Sequence, residues 1–380
     1  MKFLKILFNI LMWIILSIFP KSKKYVIVGG WYGERYADNS RYMYEYLCLH
    51  KNELGILKVF WFTKSEKIKK RLEKQGKDVL YGYSIKSIYW HLRSKIHMID
   101  QNPRDILGFL SVRCIRINLW HGMPLKNFGY LQKGEEPKRG LQKKIDILAS
   151  GGFWNNALYV ATSEFARMLI SKAMAVPLEK VLISSYPRTV KLYKERERCG
   201  LEKFCIFYLP TFRNNNMINP LLNLDLTKVD EYFQKKKIKL LVKPHYADMS
   251  NWEVIGRMRN IQLLDSGEDV YEWLYKTDLL ITDYSSVYFD YLLTKSPIIF
   301  FPYDYDYYKN QDRGFTVPYE KYTPGRKVYT GNELLEMIDY VYDHIEEYKA
   351  EYNDQYEWVL TRIHKYTDKM DISEITKIWS

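Results

Sequence analysis

The chain has no Cys-x-x-Cys pair. Its four cysteines, Cys48, Cys114, Cys199 and Cys205, are scattered, which argues against a disulfide framework and fits a reducing compartment. It also lacks zinc-finger spacing, an RNP motif and a concentrated basic arm. The net charge of +13 therefore points away from nucleic acid and towards other anions, an anionic lipid surface or a phosphorylated substrate. No carboxylate cluster is spaced for a divalent cation; Asp283 and Asp290 could be metal ligands, but a structural or orienting role is the favoured reading, so no metal site is expected. No uninterrupted apolar run reaches the roughly 20 residues of a membrane span. What is present is a chain of 380 residues, 47% hydrophobic and with 34 tyrosines, enough for two large cores rather than one.

The chain reads around Leu279-Leu280-Ile281-Thr282-Asp283-Tyr284-Ser285-Ser286. An apolar run leads into a polar turn, then an apolar helical face from Val287 to Leu293, then a second run at Ile298–Phe301. That is one βαβ unit of a parallel sheet. Ligands bind where such a strand ends, and a helix start there suits an anion. Ser285 and Ser286 are good N-caps whose hydroxyls can also face a phosphate; an ordinary capped helix reads the same stretch equally well.

Other strand ends carry similar signals. Tyr25–Val28 closes on Gly29-Gly30, with Gly33 nearby, but the spacing is not GxGxxG. Cys114–Leu119 closes on Trp120-His121-Gly122-Met123-Pro124-Leu125-Lys126. His121 titrates near neutrality and suits a general base; bonding to loop backbone is the plainer alternative. Lys126 can neutralise a phosphate or simply be solvated. Val181–Ile183 leads to Tyr186-Pro187-Arg188. Phe204–Leu209 leads to Pro210-Thr211-Phe212-Arg213, where an arginine fork fits phosphate oxygens. Lys239–Val242 closes on Lys243-Pro244-His245. Strands alternating with helices at this spacing predict doubly wound α/β domains. A highly charged stretch from Lys191 to Lys203 marks the boundary between them.

The N-terminus from Phe3 to Phe19 is almost wholly apolar and is followed by Lys21, Lys23 and Lys24. It has no small-residue cleavage site, which argues against a removed signal peptide. A short anchor, a helix in the membrane surface and a buried helix all fit; membrane attachment is the favoured reading, with the lysines against anionic lipid.

Taken together, the motifs around His121, Arg188, Arg213, His245 and Ser285, with Asp312-Arg313-Gly314-Phe315, occur in an order that resembles the CDP-glycerol glycerophosphotransferase family, over roughly residues 25 to 345. Met123 stands where that family usually has threonine. The Tyr-Pro-Arg motif usually has Gly before it and Asn-Asp after; here it is flanked by Ser185 and Thr189-Val190. The resemblance implies two Rossmann-like domains facing across a cleft, the GT-B architecture. With the apolar N-terminus and the charged stretch from Lys191 to Lys203, the chain divides into residues 1–24 as a membrane-associating segment, 25–195 as the acceptor-side domain and 196–380 as the CDP-donor domain. The resemblance further implies CDP-glycerol or CDP-ribitol as donor, a lipid-linked acceptor, and work at the cytoplasmic face of the membrane in teichoic acid or capsule synthesis. His121 and His245 would be catalytic. Arg213, Lys243, Ser285, Ser286 and Arg313 would hold the donor phosphates, Asp283 and Asp290 would orient, and Lys126 and Arg188 would meet acceptor or phosphate. A glycosyltransferase using a nucleotide sugar is the alternative on the same fold. A basic membrane-surface binding protein is the alternative from another class, and His121, His245 and Arg213 argue against it.

Overall fold

The computed structural model describes all residues except 1, 133, 138–139, 142–144, 146–156, 195–202, 212, 214–217, 245–251, 266, 312–313 and 380. The chain divides into two compact units. Unit 1 is Met1–His121, Gly129–Val190 and Met370–Ser380; unit 2 is Gly122–Phe128 and Lys191–Lys369. The division thus falls at 190/191 instead of the expected 195/196, and two short pieces change sides. The C-terminal piece is tied to unit 1 where the Ser185 amide donates to the Asp371 carbonyl (2.8 Å) and the Asp371 amide to Ser185 Oγ (3.0 Å). Residues 122–128 are tied to unit 2 where the Thr316 amide donates to the Leu125 carbonyl (2.9 Å).

Unit 1 is a parallel sheet of β1 (Ser22–Val28), β2 (Lys58–Thr63), β3 (Val79–Tyr81), β4 (Ser94–Ile99), β5 (Ile115–Asn118), β6 (Ala157–Ala161) and β7 (Val181–Ile183), in the order β3-β2-β1-β4-β5-β6-β7. Its helices include α1 (Lys2–Ser17), α2 (Asp38–His50), α3 (Glu66–Lys74), α4 (Ile85–Arg93) and α5 (Glu164–Met174). The inner strands are covered on both faces, so Val26, Ile27 and Val28 are all buried and the strand reads as a continuous apolar run. Ser65, Ser84 and Ser163 cap α3, α4 and α5 by accepting amide hydrogen bonds. The strand order reverses between β1 and β4, which is where an open parallel sheet presents its ligand crevice.

Unit 2 is a second parallel sheet of β8 (Phe204–Leu209), β9 (Ile238–Val242), β10 (Ile261–Leu263), β11 (Leu279–Thr282) and β12 (Ile298–Phe300), in the order β10-β9-β8-β11-β12. It reverses between β8 and β11. Its helices include α6 (Leu226–Lys236), α7 (Val287–Tyr291), α8 (Gly331–Asp343) and α9 (Ile345–Ile363). The doubly wound parallel α/β pattern read from the strand–helix alternation is therefore present in both units.

Helix α1 buries only its C-terminal end, through Leu16 and the neighbouring Met12, against a core that includes Ile27, Phe60, Leu92 and Leu110. Phe3, Phe8, Leu11 and Trp13 are 50% or more exposed. At 16 residues it is about 24 Å long, short of a ~30 Å hydrocarbon core. No helix among the described residues is long and apolar enough to cross a membrane.

Candidate active site

In unit 1 a polar cluster forms at the C-terminal ends of β1, β4 and β5. Asp100, just past β4, is fully buried. One carboxylate oxygen accepts from the Ser40 amide (2.8 Å). The other has no hydrogen-bond partner among the described residues and would lie 2.3 Å from a Cβ on Gly30. Gly30 is therefore glycine because the Asp100 carboxyl occupies the space of its side chain, an explanation that needs no dinucleotide. Burial, then the neighbouring Asp38 and Asp105, push the Asp100 pKa well above the usual carboxylate value. Asp105 accepts the amides of Asp100, Gln101 and Asn102 on one oxygen and that of Tyr32 on the other, and fixes the turn.

Asp38 opens α2 with φ +64°, a left-handed conformation that aspartate tolerates. Its carboxylate takes the Arg188 guanidinium at 2.7 Å, with both side chains 10% exposed or less. The next residue ties the strand ends together: Asn39 donates to the Trp120 carbonyl (2.8 Å) and accepts from the Arg188 amide (3.2 Å). Trp120, at φ +63°, turns the chain sharply and sets His121 at the rim, the two rings 4.7 Å apart. His121 is exposed, yet its pKa is lowered. Desolvation by its crowded inner side is the largest cause and Arg188 adds to it; the Asp38 charge and a hydrogen bond to the Asp100 main chain oppose it. Water at the exposed edge tempers the desolvation, so the imidazole is neutral at pH 7 without being inert. Its bond to the Asp100 carbonyl uses one ring N–H and leaves the other nitrogen's lone pair free to accept a proton.

Arg188 does not present a free fork to phosphate: it is 2% exposed and is committed to Asp38. Asp38 and Asp100 were not singled out in the sequence. The available signal was Asp100 closing a strand while Gly29-Gly30 closes another.

In unit 2 a second cluster forms where β8 and β11 end. Asp283 accepts from the Thr211 hydroxyl (2.6 Å), the Thr211 amide (3.0 Å) and Arg213 Nη2 (2.8 Å). Burial acts to raise its pKa, but Arg213, Thr211 and Lys126 together outweigh it and hold the carboxyl below the usual range. Arg213 also makes a two-point contact with Asp304, through Nε at 2.6 Å and Nη2 at 2.9 Å, and donates to the Thr211 carbonyl at 2.7 Å. Its guanidinium lies 4.9 Å from the ring centres of both Tyr284 and Tyr303. The expected phosphate fork is thus spent on two buried carboxylates, and Arg213 holds the strand ends together instead.

Lys126 stands over the Tyr308 ring at 5.4 Å and contributes to the field on Asp283, so it belongs to this cluster. Ser285 and Ser286 are half-buried directly after Asp283 and Tyr284. Ser286 occupies the N-cap position of α7, but its side chain makes no capping bond, and α7 has only 5 residues. The expected capped helix is therefore too short for a strong dipole, and the hydroxyls are not used as caps. Asp290 lies inside α7, where it accepts from the Tyr271 hydroxyl (2.6 Å) with His364 at 3.8 Å, buried among these partners. Lys243, just past β9, is half-buried at the same sheet end. His245 and Arg313 lie outside the described residues. Among the described residues no group of three or more His, Cys, Asp or Glu is placed to hold a metal ion.

A pair of parallel sheets flanked by helices, each with a cluster of polar and charged side chains at its strand ends, places the chain among the doubly wound α/β proteins. The chain belongs to the CDP-glycerol:poly(glycerophosphate) glycerophosphotransferase family, whose model matches residues 11–378. It is 25% identical over 363 residues to the teichoic acid poly(glycerol phosphate) polymerase of Bacillus spizizenii, covering 85% of each chain. It is 26% identical over 366 residues to the teichoic acid glycerol-phosphate transferase of Staphylococcus aureus, covering 88% of each. A solved structure of the wall teichoic acid polymerase TagF shares its fold, with a TM-score of 0.71, 20% identity, and coverage of 100% of this chain and 96% of that one.

Proposed function

We propose that this transferase moves glycerol phosphate from CDP-glycerol to a hydroxyl of a membrane-linked glycan or polyol-phosphate acceptor in teichoic acid synthesis. The acceptor oxygen attacks the glycerol-bearing phosphorus and the bond to CMP breaks. CMP leaves with the electron pair, and the acceptor proton goes to His121. Such a transfer needs positioning and charge neutralisation more than covalent chemistry by the protein. The observation that carries the reading is His121 itself, a neutral imidazole anchored through one nitrogen to the Asp100 main chain beside the Asp38–Arg188 pair. Unit 2 would supply the donor site through Lys126, Lys243, Ser285 and Ser286. Transfer then requires both strand-end sites to act on one substrate pair, the GT-B arrangement that the family resemblance implies.

The acceptor would lie at the cytoplasmic membrane face, with α1 lying in the lipid surface, since its exposed apolar residues have no protein partner among the described residues other than the anchor at Leu16 and Met12. Removing residues 1–20 should release much of the protein from membranes while leaving activity on a soluble acceptor analogue. The deciding experiment incubates the purified protein with CDP-glycerol, CDP-ribitol and UDP-sugars and follows release of CMP or UDP. CMP from CDP-glycerol supports the reading; UDP from a sugar donor would replace it with a glycosyltransferase.

A further inference from the structure

At the opposite end of the unit 1 sheet, where β1, β4 and β5 begin, four cations gather. Arg116 stands second in β5, in register with His97 of β4, and is 7% exposed. Its Nε and Nη1 are buried without a hydrogen-bond partner among the described residues. Burial lowers its pKa, and the groups that oppose this, Cys114 and Tyr159, are themselves uncharged at neutral pH because burial raises both. Lys21 and Lys95 face the same Cys114 thiol, and Arg113 faces Lys21. Lys21 donates to the carbonyls of His91 (3.1 Å) and Leu92 (3.0 Å), Lys95 to that of Arg113 (2.5 Å), and Arg113 to that of Ser17 (2.7 Å). These acceptors are all neutral main-chain groups, and none of the four cations pairs with a carboxylate among the described residues. The nearby histidines do not help, since burial keeps His91 and His97 neutral. A buried guanidinium with open donors and no carboxylate partner among the described residues is costly unless an anion comes to it.

The surface next to the cluster identifies that anion. Arg113 grips the last residue of α1, and α1 exposes Phe3, Phe8, Leu11, Trp13 and Ile14, with Ile18 exposed just beyond it. Phosphate-seeking charge directly beside an apolar helix that no described residue covers is the chemistry of a lipid headgroup above its acyl chains. We propose that Lys21, Lys95, Arg113 and Arg116 form a headgroup site for an anionic phospholipid, the phosphate meeting the guanidinium of Arg116 and the chains running along α1. This rests on the membrane-surface reading of α1. Arg116 stands near the start of β5, whereas His121 lies past its C-terminal end, beyond the turn at Trp120. The lipid held here therefore docks the enzyme and is not the reacting acceptor.

The test measures partition of the full chain onto phosphatidylcholine vesicles with and without phosphatidylglycerol. Wild type should prefer phosphatidylglycerol. Each cation near an anionic surface is worth a factor of about five, so Arg113→Gln with Arg116→Gln should cut that preference roughly 25-fold. Binding to pure phosphatidylcholine and CMP release on a soluble acceptor should not change. Lys67→Gln with Lys70→Gln on α3 removes the same charge elsewhere; an equal loss there would overturn the site in favour of diffuse electrostatics. If the Arg116 variant does not fold, Arg113→Gln with Lys95→Gln carries the same comparison. Inorganic phosphate raising the melting temperature of wild type, but not of the variant, as much as the anionic vesicles do would make this a small-anion site and overturn the lipid proposal. Wild type that binds both vesicles without preference sinks the headgroup site alone. Wild type that binds neither sinks the membrane reading of α1 with it.

Discussion

Replacing Arg213 with methionine separates two roles that the sequence could not distinguish. In the structure Asp283 and Asp304 have side chains 0% exposed and share this one guanidinium. Methionine fills much of the same volume but leaves two buried carboxylates without their cation. Removing one partner of a buried ion pair costs about 3–5 kcal/mol. For a unit of roughly 150–250 residues each kcal/mol shifts the melting temperature by about 2–4 °C, so the variant should melt about 10 °C lower. The pH dependence gives a second handle. In the wild type the Asp283 pKa lies below the ordinary value, so its stabilising contribution is present above the unfolded pKa of about 3.9 and is lost as pH falls through the lower folded value. Without Arg213, burial dominates and raises the folded pKa above the unfolded one, so the deficit should be largest at pH 7 and shrink towards pH 4. Arg213→Met with Asp304→Asn should recover part of the loss, because one uncompensated charge is gone. Scanning calorimetry across this range reads all three effects. A variant that melts like wild type and shows only a raised KM for CDP-glycerol would refute the structural role and return Arg213 to the donor phosphates.

His121→Ala should lower kcat by ~10²–10⁴-fold with little change in melting temperature, since the side chain is exposed; wild-type rates of CMP release would remove it from the mechanism. Asp38→Asn keeps a residue that accepts a left-handed backbone but removes the charge that raises the His121 pKa, so the acid limb of kcat/KM should move to lower pH; an unmoved limb would rule out that coupling. Ser285→Ala with Ser286→Ala should raise the KM for CDP-glycerol without changing stability, because neither hydroxyl caps α7; a donor-soaked crystal with its diphosphate elsewhere would count against this. His91 is buried with Nδ1 donating to the Ser87 carbonyl and Nε2 accepting the Leu107 amide, and burial lowers its pKa from 6.5 to about 4. Its neutral form therefore contributes stability fully above pH 6.5, and about 2.5 kcal/mol of that is lost by pH 4.5. Urea unfolding should show a shallower pH slope in His91→Gln than in wild type, His97 supplying a slope common to both; equal slopes would refute the His91 contribution.

The order of strands and helices was legible in the chain because it is a local property. Runs such as Tyr25–Val28 and Leu279–Thr282 are apolar enough to be buried on both faces and are stopped by polar turns, and each strand can be read without knowing its neighbours. For the same reason His121, Lys126, Ser285 and Ser286 could be placed at strand ends from sequence alone. What each polar side chain touches was decided by the tertiary structure. Arg188 meets Asp38 from 150 positions away, and Arg213 meets Asp304 from 91 positions away, because sheet order brings those loops to one edge. β1 lies beside β4, so the Asp100 carboxyl fills the space at Gly30 that the sequence alone left open to a ligand. The lone guanidinium of Arg116 is visible only once β4, β5 and the end of α1 are assembled around it. Local periodicity is carried by residues three or four positions apart, whereas the pairing of charges depends on which distant segments become neighbours, and no short window of the chain contains that information.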